Sequence, residues 1–310
     1  MRDKGKYSEH VKRVSQTIER RKHEFVWNYE EIYKRIVSGI TLAGIALFFT
    51  VKGGIFFVVF VAIFVALASI EIYRLLELKG ENPYTLVGVG ISVSIPFISY
   101  FAPSEMLFAL LTFSLIAIFF IQIISREFKG TIEKVMMTYF GIVYVGWLGG
   151  AHAVLLRNIG SEAKSPNFSK IDPGLFFFLF AVATTAFADV GAYFFGKRFG
   201  KTKIAEKISP GKTVEGFFGG VLLSIIVSLI LKFSFGVGGS VLMWILFGFV
   251  SAFFGLLGDF AESALKRDVH LKDSSSLIPG HGGILDRVDS LLFTIPLYYY
   301  ISKYILYTML

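Results

Sequence analysis

Four aspartates stand in or beside apolar stretches of this sequence, where a carboxylate could take part in chemistry. Asp189 lies in ATTAFADVGAYFFGKR, Asp259 lies in FGLLGDFAESALKRD, and Asp286 and Asp289 open GGILDRVDSLLF. A carboxylate inside a membrane-spanning segment is costly unless it faces protein, water or a cation. Asp286 and Asp289 also share one helix face near an N-terminus, where the helix dipole favours negative charge. All four are therefore candidate site residues.

A shared cation is one way to hold these acids together. A hard, oxygen-ligating ion such as Mg²⁺ suits a chain that has no cysteine and five histidines. The absence of cysteine also excludes disulfides, thiolate ligands and a cysteine nucleophile. Spacing alone leaves two alternatives open, which are a structural hydrogen bond of Asp189 between helices and a salt-bridge cluster with Lys266, Arg267 and Arg287.

A basic segment, GKRFGKTKIAEKISPGKTVEGFFGG, carries six lysines and arginines between positions 197 and 212 and could attract an anion. It is not a nucleotide P-loop, because that motif requires glycine where this chain has Glu206. SPGKT nevertheless predicts a turn at Pro210-Gly211 and then a helix start, whose amides could bind phosphate beside Lys212. The alternative, a basic loop that only sets membrane topology, explains the charge but not this order of residues.

A second polar segment, KRDVHLKDSSSLIPGHGGILDRVDS, spans residues 266–290. It combines bases that suit anions with acids that suit a metal, and its glycines permit tight backbone around His281. A lone histidine in a loop is usually only a surface residue, but the Gly-His-Gly-Gly setting favours a role in the site. The combination is typical of metal-assisted chemistry on phosphate, where positioning and charge neutralisation supply most of the catalysis.

The elements that must position these residues are membrane helices. The 310 residues are 54% hydrophobic and 17% charged, with a mean hydropathy of +0.65, and the charges separate apolar runs of about 17 to 24 residues, enough to cross a bilayer core. We predict an all-α, polytopic membrane protein with about nine transmembrane helices. The predicted spans are 36–51, 54–71, 85–101, 106–124, 135–156, 174–196, 217–235, 239–258 and 288–308.

Basic residues indicate how these spans are oriented. Placing residues 1–35 in the cytoplasm leaves few of the 31 lysines and arginines outside, so the positive-inside rule predicts a cytoplasmic N-terminus and an external C-terminus. The net charge is +8, and the basic residues lie close to the predicted membrane edge. This position favours anionic lipid as partner and argues against nucleic acid. The external basic residues are Lys52, Arg157, Lys164, Lys170, Lys232 and Lys303.

Three regions follow from this pattern. Residues 1–35 form a polar cytoplasmic segment, either an interfacial helix or a solvated tail. Residues 36–170 contain about five transmembrane helices, and residues 171–310 contain about four. The last region is expected to be catalytic and has two cytoplasmic loops, 197–216 and 260–287.

The C-terminal half resembles the phosphatidate cytidylyltransferases, or CDP-diacylglycerol synthases. The resemblance rests on two elements with the family's spacing and is looser before residue 170. The first element comprises Ser263, Lys266-Arg267, Lys272-Asp273, Ser275, Pro279, His281-Gly282-Gly283, Asp286-Arg287 and Asp289. The second comprises Asp189 to Tyr193, Gly196-Lys197, Lys207, Ser209 to Thr213 and Glu215-Gly216.

The resemblance implies that CTP and phosphatidic acid give CDP-diacylglycerol and pyrophosphate at the cytoplasmic face of the cell (inner) membrane. It also allows a second cation such as K⁺, and a homodimer. The implied metal ligands are Asp259, Asp286 and Asp289. The implied catalytic residues are Asp259, Asp286, Lys266, Arg267, His281 and Arg287, and CTP would contact Lys207, Ser209, Lys212, Thr213, Glu215 and Asp189.

Three other functions agree less well with these residues. A cation-coupled transporter would need polar residues through the membrane, whereas here they cluster at one predicted face. A membrane kinase that uses CTP to phosphorylate a lipid alcohol would not require the phosphatidate signature. A transferase that consumes CDP-diacylglycerol would carry a different motif of aspartate, glycine and arginine.

Overall fold

A computed structural model describes residues 37–80, 82–126, 128–160, 168, 171–275 and 282–303. This part of the chain is a helical bundle with one β-hairpin. A π-helical segment, Ile142–Ala151, joins the α-helices Thr131–Gly141 and His152–Arg157. The elements are α1 (Val37–Lys52), α2 (Gly54–Leu78), α3 (Thr85–Phe101), α4 (Ser104–Ser125), α5 (Thr131–Gly141), α6 (His152–Arg157), α7 (Pro173–Phe199), β1 (Lys203–Ala205), β2 (Ser209–Thr213), α8 (Val214–Phe235), α9 (Val241–Asp268) and α10 (Leu285–Ile301).

Membrane character is confirmed by the helices. Within the described residues, six helices are long and apolar enough to cross a bilayer, if α5, the π-helical segment and α6 count as one. The other three predicted spans fall on α1, α3 and α10. At 17 residues each, α3 and α10 are shorter than the roughly 20 residues that usually cross a bilayer core. Nine crossings therefore remain a prediction.

The connection from α7 to α8 differs from the sequence prediction. It forms a short antiparallel hairpin of β1 and β2, whereas the other regular elements of the described residues are helical, as the predicted all-α class requires. Pro210 and Gly211 lie inside β2, and the turn falls at residues 206–208. The predicted helix start is correct, because Thr213 caps α8 by accepting a hydrogen bond from the Gly216 N–H at 3.1 Å. Glu215, in the first turn, accepts from the Lys201 N–H at 3.0 Å and holds the hairpin against α8.

Small residues set the distances between the helices that carry the candidate site. A Cβ at Gly191 of α7 would lie 2.5 Å from the Gly219 carbonyl oxygen of α8, so these helices touch backbone to backbone. A Cβ at Gly258 of α9 would overlap the Asp289 carbonyl oxygen of α10. This close approach brings the chain around Asp259 next to the first turns of α10.

Below this region the bundle core is aromatic. Phe176 and Phe180 of α7 pack against Trp244 and Phe247 of α9 and Tyr298 of α10. Buried aromatic pairs of this kind add to the stabilisation from apolar burial. The same three helices are therefore fixed to each other beneath the polar residues that they carry.

Candidate active site

The hairpin covers a cavity of about 400 Å³ between α7, α8 and α9. Its wall is apolar and glycine-rich at the helices, and its polar groups converge from α7 and the hairpin. Such concave sites with a few convergent polar groups are where small ligands usually bind. The polar lining residues are Thr185, Asp189, Tyr193, Lys197, Lys203, Ser209, Lys212 and Thr213.

Lys212 of β2 reaches from the hairpin to carboxylates on two transmembrane helices. Its Nζ lies 2.6 Å from an Asp259 oxygen and 3.8 Å from an Asp189 oxygen. Burial opposes the charged form, but Asp259 and Asp189 outweigh it and raise the pKa of Lys212. The lysine is therefore charged at neutral pH, and the cavity has a fixed positive group beside two carboxylates.

Asp289 of α10 brings a third carboxylate to this group. It interacts electrostatically with both Asp259 and Asp189, and the Ser290 N–H donates to its Oδ1 at 2.6 Å. Arg287 also interacts electrostatically with Asp189. Acids from α7, α9 and α10 thus meet near Lys212, as the spacing of these aspartates predicts, and we call Asp189, Asp259 and Asp289 the acidic cluster.

Asp286 belongs to a separate, more enclosed group. Lys266 donates to Asp286 Oδ1 at 2.6 Å and forms an ion pair with Glu262, which is fully buried. The other oxygen, Oδ2, accepts from the Ser274 N–H at 3.0 Å, the Ser274 hydroxyl at 2.9 Å and the Gly283 N–H at 2.8 Å. Asp286 therefore connects Ser274 to Gly283 within the loop between α9 and α10.

Arg267 connects that loop to the hairpin. Its Nε donates to the Ile208 carbonyl at 3.2 Å, and its Nη1 donates to the Leu271 carbonyl at 2.7 Å. Ile208 belongs to the hairpin turn. Arg267 thus fixes the turn over α9 by charge-assisted hydrogen bonds to backbone.

The predicted site residues are therefore divided. Asp189, Ser209, Lys212 and Thr213 line the cavity, whereas Asp259 and Asp289 do not line it but interact with its lining residues Lys212 and Asp189. Lys207 lies exposed in the hairpin turn, and Glu215 accepts a hydrogen bond from the Lys201 backbone. Lys266 forms an ion pair with Asp286, and Arg267 donates to the Ile208 carbonyl. His281 lies outside the described residues.

The residues partly suit a divalent cation. Carboxylate oxygens of the acidic cluster, which come from three helices, are the right donors for Mg²⁺. Beside this cluster, the buried Tyr144 hydroxyl of the π-helical segment has no hydrogen-bond partner among the described residues. However, no set of three or more His, Asp or Glu in the described ranges is arranged to hold a metal, so substrate oxygens would have to complete the coordination.

Sequence reasoning missed two residues that the fold brings to this region. Lys203 lines the cavity together with Tyr193 and Lys197 of the second family element, although the sequence showed Lys203 only as part of a basic segment. Glu71 of α2 is buried and contacts the loop that Asp286 holds. The rule that flagged Asp189, a carboxylate in an apolar span, also applies to Glu71, but the predicted span ended at that residue.

Fold and site together define a polytopic α-helical membrane protein whose cavity offers lysines beside a cluster of carboxylates. The chain belongs to the cytidylyltransferase family, because that family's sequence model matches residues 33–305. The predicted family is thereby confirmed.

Individual relatives agree with this assignment. The phosphatidate cytidylyltransferase of Bacillus subtilis is 31% identical over 280 residues, which cover 87% of this chain and 97% of the relative. That of Synechocystis is 32% identical over 289 residues, with 86% and 95% covered. That of Staphylococcus epidermidis is 47% identical over 124 residues, with 40% and 48% covered.

Proposed function

We propose that this protein is a phosphatidate cytidylyltransferase, which transfers CMP from CTP to phosphatidic acid and releases pyrophosphate. The observation that carries the proposal is the position of Lys212, held between Asp189 and Asp259 at the wall of a cavity under a lysine-bearing hairpin. Family membership and relatives of matching length support the same reaction.

The reaction is an in-line displacement at phosphorus. An oxygen of the phosphatidate phosphate attacks the α-phosphorus of CTP, a new O–P bond forms, and the bond to the β-phosphate oxygen breaks. Pyrophosphate leaves with that electron pair, and no covalent enzyme intermediate is needed. The attacking phosphate is already ionised, so the chain's main tasks are to position the substrates and to balance charge.

Three lysines on the cavity wall are suited to the CTP triphosphate. Lys197 lies in the last turn of α7, Lys203 lies in β1, and Lys212 lies in β2, so both a helix and the hairpin supply lysines to the cavity wall. Ser209 and Thr213 add hydroxyl groups on the same wall. Lys207, predicted to bind CTP, is exposed in the hairpin turn and would contact the triphosphate from the cavity entrance.

Phosphatidate is assigned to Arg287. This residue is exposed on the first turn of α10 and interacts electrostatically with Asp189, so a lipid phosphate there would lie next to the acidic cluster. Lys266 and Arg267, predicted to bind the same phosphate, already contact Asp286, Glu262 and backbone carbonyls. We therefore assign them to holding the loop and the hairpin in place.

We propose that Asp259 and Asp289 hold Mg²⁺, with Asp189 beside them. When bound, Mg²⁺ would neutralise the triphosphate and the leaving pyrophosphate. Asp286, also predicted as a ligand, would have to give up hydrogen bonds from Lys266, Ser274 and Gly283. We assign it to organising the loop that precedes α10. We also propose that the site can take a second cation such as K⁺ and that the protein forms a homodimer.

The proposed orientation places the hairpin and the loop before α10 in the cytoplasm, in a protein with nine crossings of the cell membrane. A polar site just under the membrane surface would receive CTP from the cytosol and phosphatidate laterally from the bilayer. The distribution of lysine and arginine supports this orientation.

The test is product formation by the purified protein in detergent, supplied with CTP and phosphatidic acid, with and without Mg²⁺. We expect CDP-diacylglycerol and pyrophosphate in equal amounts, and less product from Asp259→Asn at the same Mg²⁺ concentration. Product from a lipid alcohol in place of phosphatidic acid would overturn the substrate assignment. A folded protein that makes neither product would overturn the proposed function.

A further inference from the structure

Glu71, in the N-terminal half of the chain, binds the segment that leads into α10. Its side chain is 2% exposed. Oε1 accepts from the Ser275 hydroxyl at 2.6 Å and the Ile284 N–H at 3.0 Å. Oε2 accepts from the Ser274 hydroxyl at 2.9 Å and the Leu285 N–H at 2.8 Å. One carboxylate of α2 thus receives four hydrogen bonds from residues 203 to 214 positions further along the chain.

These donors include the first amides of α10. The N–H groups at the start of a helix have no partners within the helix and are usually satisfied by a capping side chain. Ile284 stands at the N-cap of α10 and provides no side-chain hydrogen bond. Glu71 supplies the cap from another helix, and its negative charge is favourable at that end of the helix dipole.

The same contacts reach the proposed active site. The Ser274 hydroxyl lies 2.9 Å from both Glu71 Oε2 and Asp286 Oδ2. A Cβ at Gly283 would overlap the Glu71 carboxylate and the Ser274 hydroxyl, so the loop is packed directly on Glu71. Asp289 of the acidic cluster lies about one helical turn beyond the capped amides. The orientation of α10, and with it the position of Asp289, depends on these hydrogen bonds.

We propose that Glu71 is a positioning residue for nucleotidyl transfer, which sets the first turns of α10 and the loop before it so that Asp289 faces the substrates. The inference rests on the proposed function. Glu71 lies outside both sequence elements that carry the family resemblance, and it does not line the cavity.

The decisive substitution is Glu71→Gln, which keeps the size of the side chain. Each Glu71 oxygen accepts one backbone N–H and one serine hydroxyl. A glutamine must therefore turn its NH₂ group towards either the Ile284 or the Leu285 N–H, and two donors would face each other. The matched control is Glu77→Gln, on the same helix, where the exposed carboxylate accepts only from the Thr85 hydroxyl among the described residues.

Kinetics distinguish positioning from a purely structural role. We expect Glu71→Gln to lower kcat about 10- to 100-fold, the usual effect of losing an outer-shell partner. We expect the KM for CTP to change less than about threefold, because the cavity lysines are untouched. Glu77→Gln should behave like the wild type. A kcat per folded molecule that equals the wild-type value would overturn the proposal.

Hydrogen exchange provides a readout that does not depend on activity. The amides of Ile284 and Leu285 should exchange faster in Glu71→Gln, while the Gly216 amide, capped by Thr213, keeps its wild-type rate. Unchanged exchange at both positions would overturn the proposal. A wild-type protein that makes no CDP-diacylglycerol would overturn the proposed function instead, and exchange would then decide whether Glu71 positions α10.

Discussion

The ammonium of Lys212 lies 2.6 Å from the carboxylate of Asp259. A residue of the hairpin is therefore bound to the C-terminal half of α9, which the proposed orientation places towards the cytoplasm. We expect Lys212→Met to lower kcat/KM for CTP by a factor on the order of 10² to 10³, the usual effect of removing one charge-stabilising donor. The measurement is steady-state kinetics with CTP varied at saturating phosphatidic acid.

Lys201→Met is the matched control for Lys212→Met. Lys201 is exposed, precedes the same hairpin and does not line the cavity, so this variant should keep near-normal kinetics. Equal losses in both variants would mean that the general positive charge of the segment matters, and not the contact with Asp259.

The acidic cluster predicts a change in metal dependence. Asp259→Asn and Asp289→Asn each remove one charge from the proposed Mg²⁺ ligands, and we expect the Mg²⁺ concentration for half-maximal activity to rise about 10- to 100-fold. Titration of activity with Mg²⁺ at fixed CTP gives this value, and Glu77→Gln should leave it unchanged. If only Asp286→Asn raised it, Asp286 would be the ligand and our assignment would be wrong.

Much of the fold was predictable because apolar length and charge placement are local properties of the sequence. Each predicted span falls on a helix of the structure, and the approach of α9 to α10 at Gly258 follows from a small residue beside Asp259. The hairpin was missed because its strands are short and polar. Pro210-Gly211 carries a strong turn signal, whereas the pairing of Lys203 with Thr213 depends on contacts outside the segment.

The site was predictable in its residue types but not in its pairings. The family resemblance groups Asp259, Asp286 and Asp289 as metal ligands, and only Asp286 and Asp289 share a helix face. In the structure Asp286 is bound by Lys266 of the preceding helix, whereas Asp259 is bound by Lys212 of the hairpin. Glu71 could not be connected to the site from sequence, since its partners are more than 200 positions away.

The buried group around Lys266 should govern stability. Lys266→Met leaves Glu262 and Asp286 without their shared cation, and breaking a buried ion pair by removing one partner typically costs about 3–5 kcal/mol. We expect a lower midpoint of thermal unfolding in detergent, and a partial recovery in the double variant Lys266→Met/Glu262→Gln, which leaves one carboxylate, Asp286, without the lysine instead of two. Lys201→Met should melt like the wild type.

An unchanged melting point for Lys266→Met would contradict this view of the group, because it would mean that the two carboxylates are stable without the lysine. A loss of activity with unchanged melting would instead support direct contact between Lys266 and substrate, the role that the sequence predicted.

The orientation can be tested with introduced cysteines, because the chain has none of its own. Lys129→Cys and Lys201→Cys fall in connections that we place in the cytoplasm, whereas Lys52→Cys, at the end of α1, and Glu105→Cys, in the first turn of α4, lie at helix ends that we place outside. All four positions are exposed. In intact cells, a membrane-impermeant maleimide should label the second pair, and labelling of the first pair should require disruption of the membrane. This result follows from the positive-inside rule. The reverse pattern would place the hairpin and the acidic cluster at the external face, away from cytosolic CTP, and the proposed reaction could not proceed there.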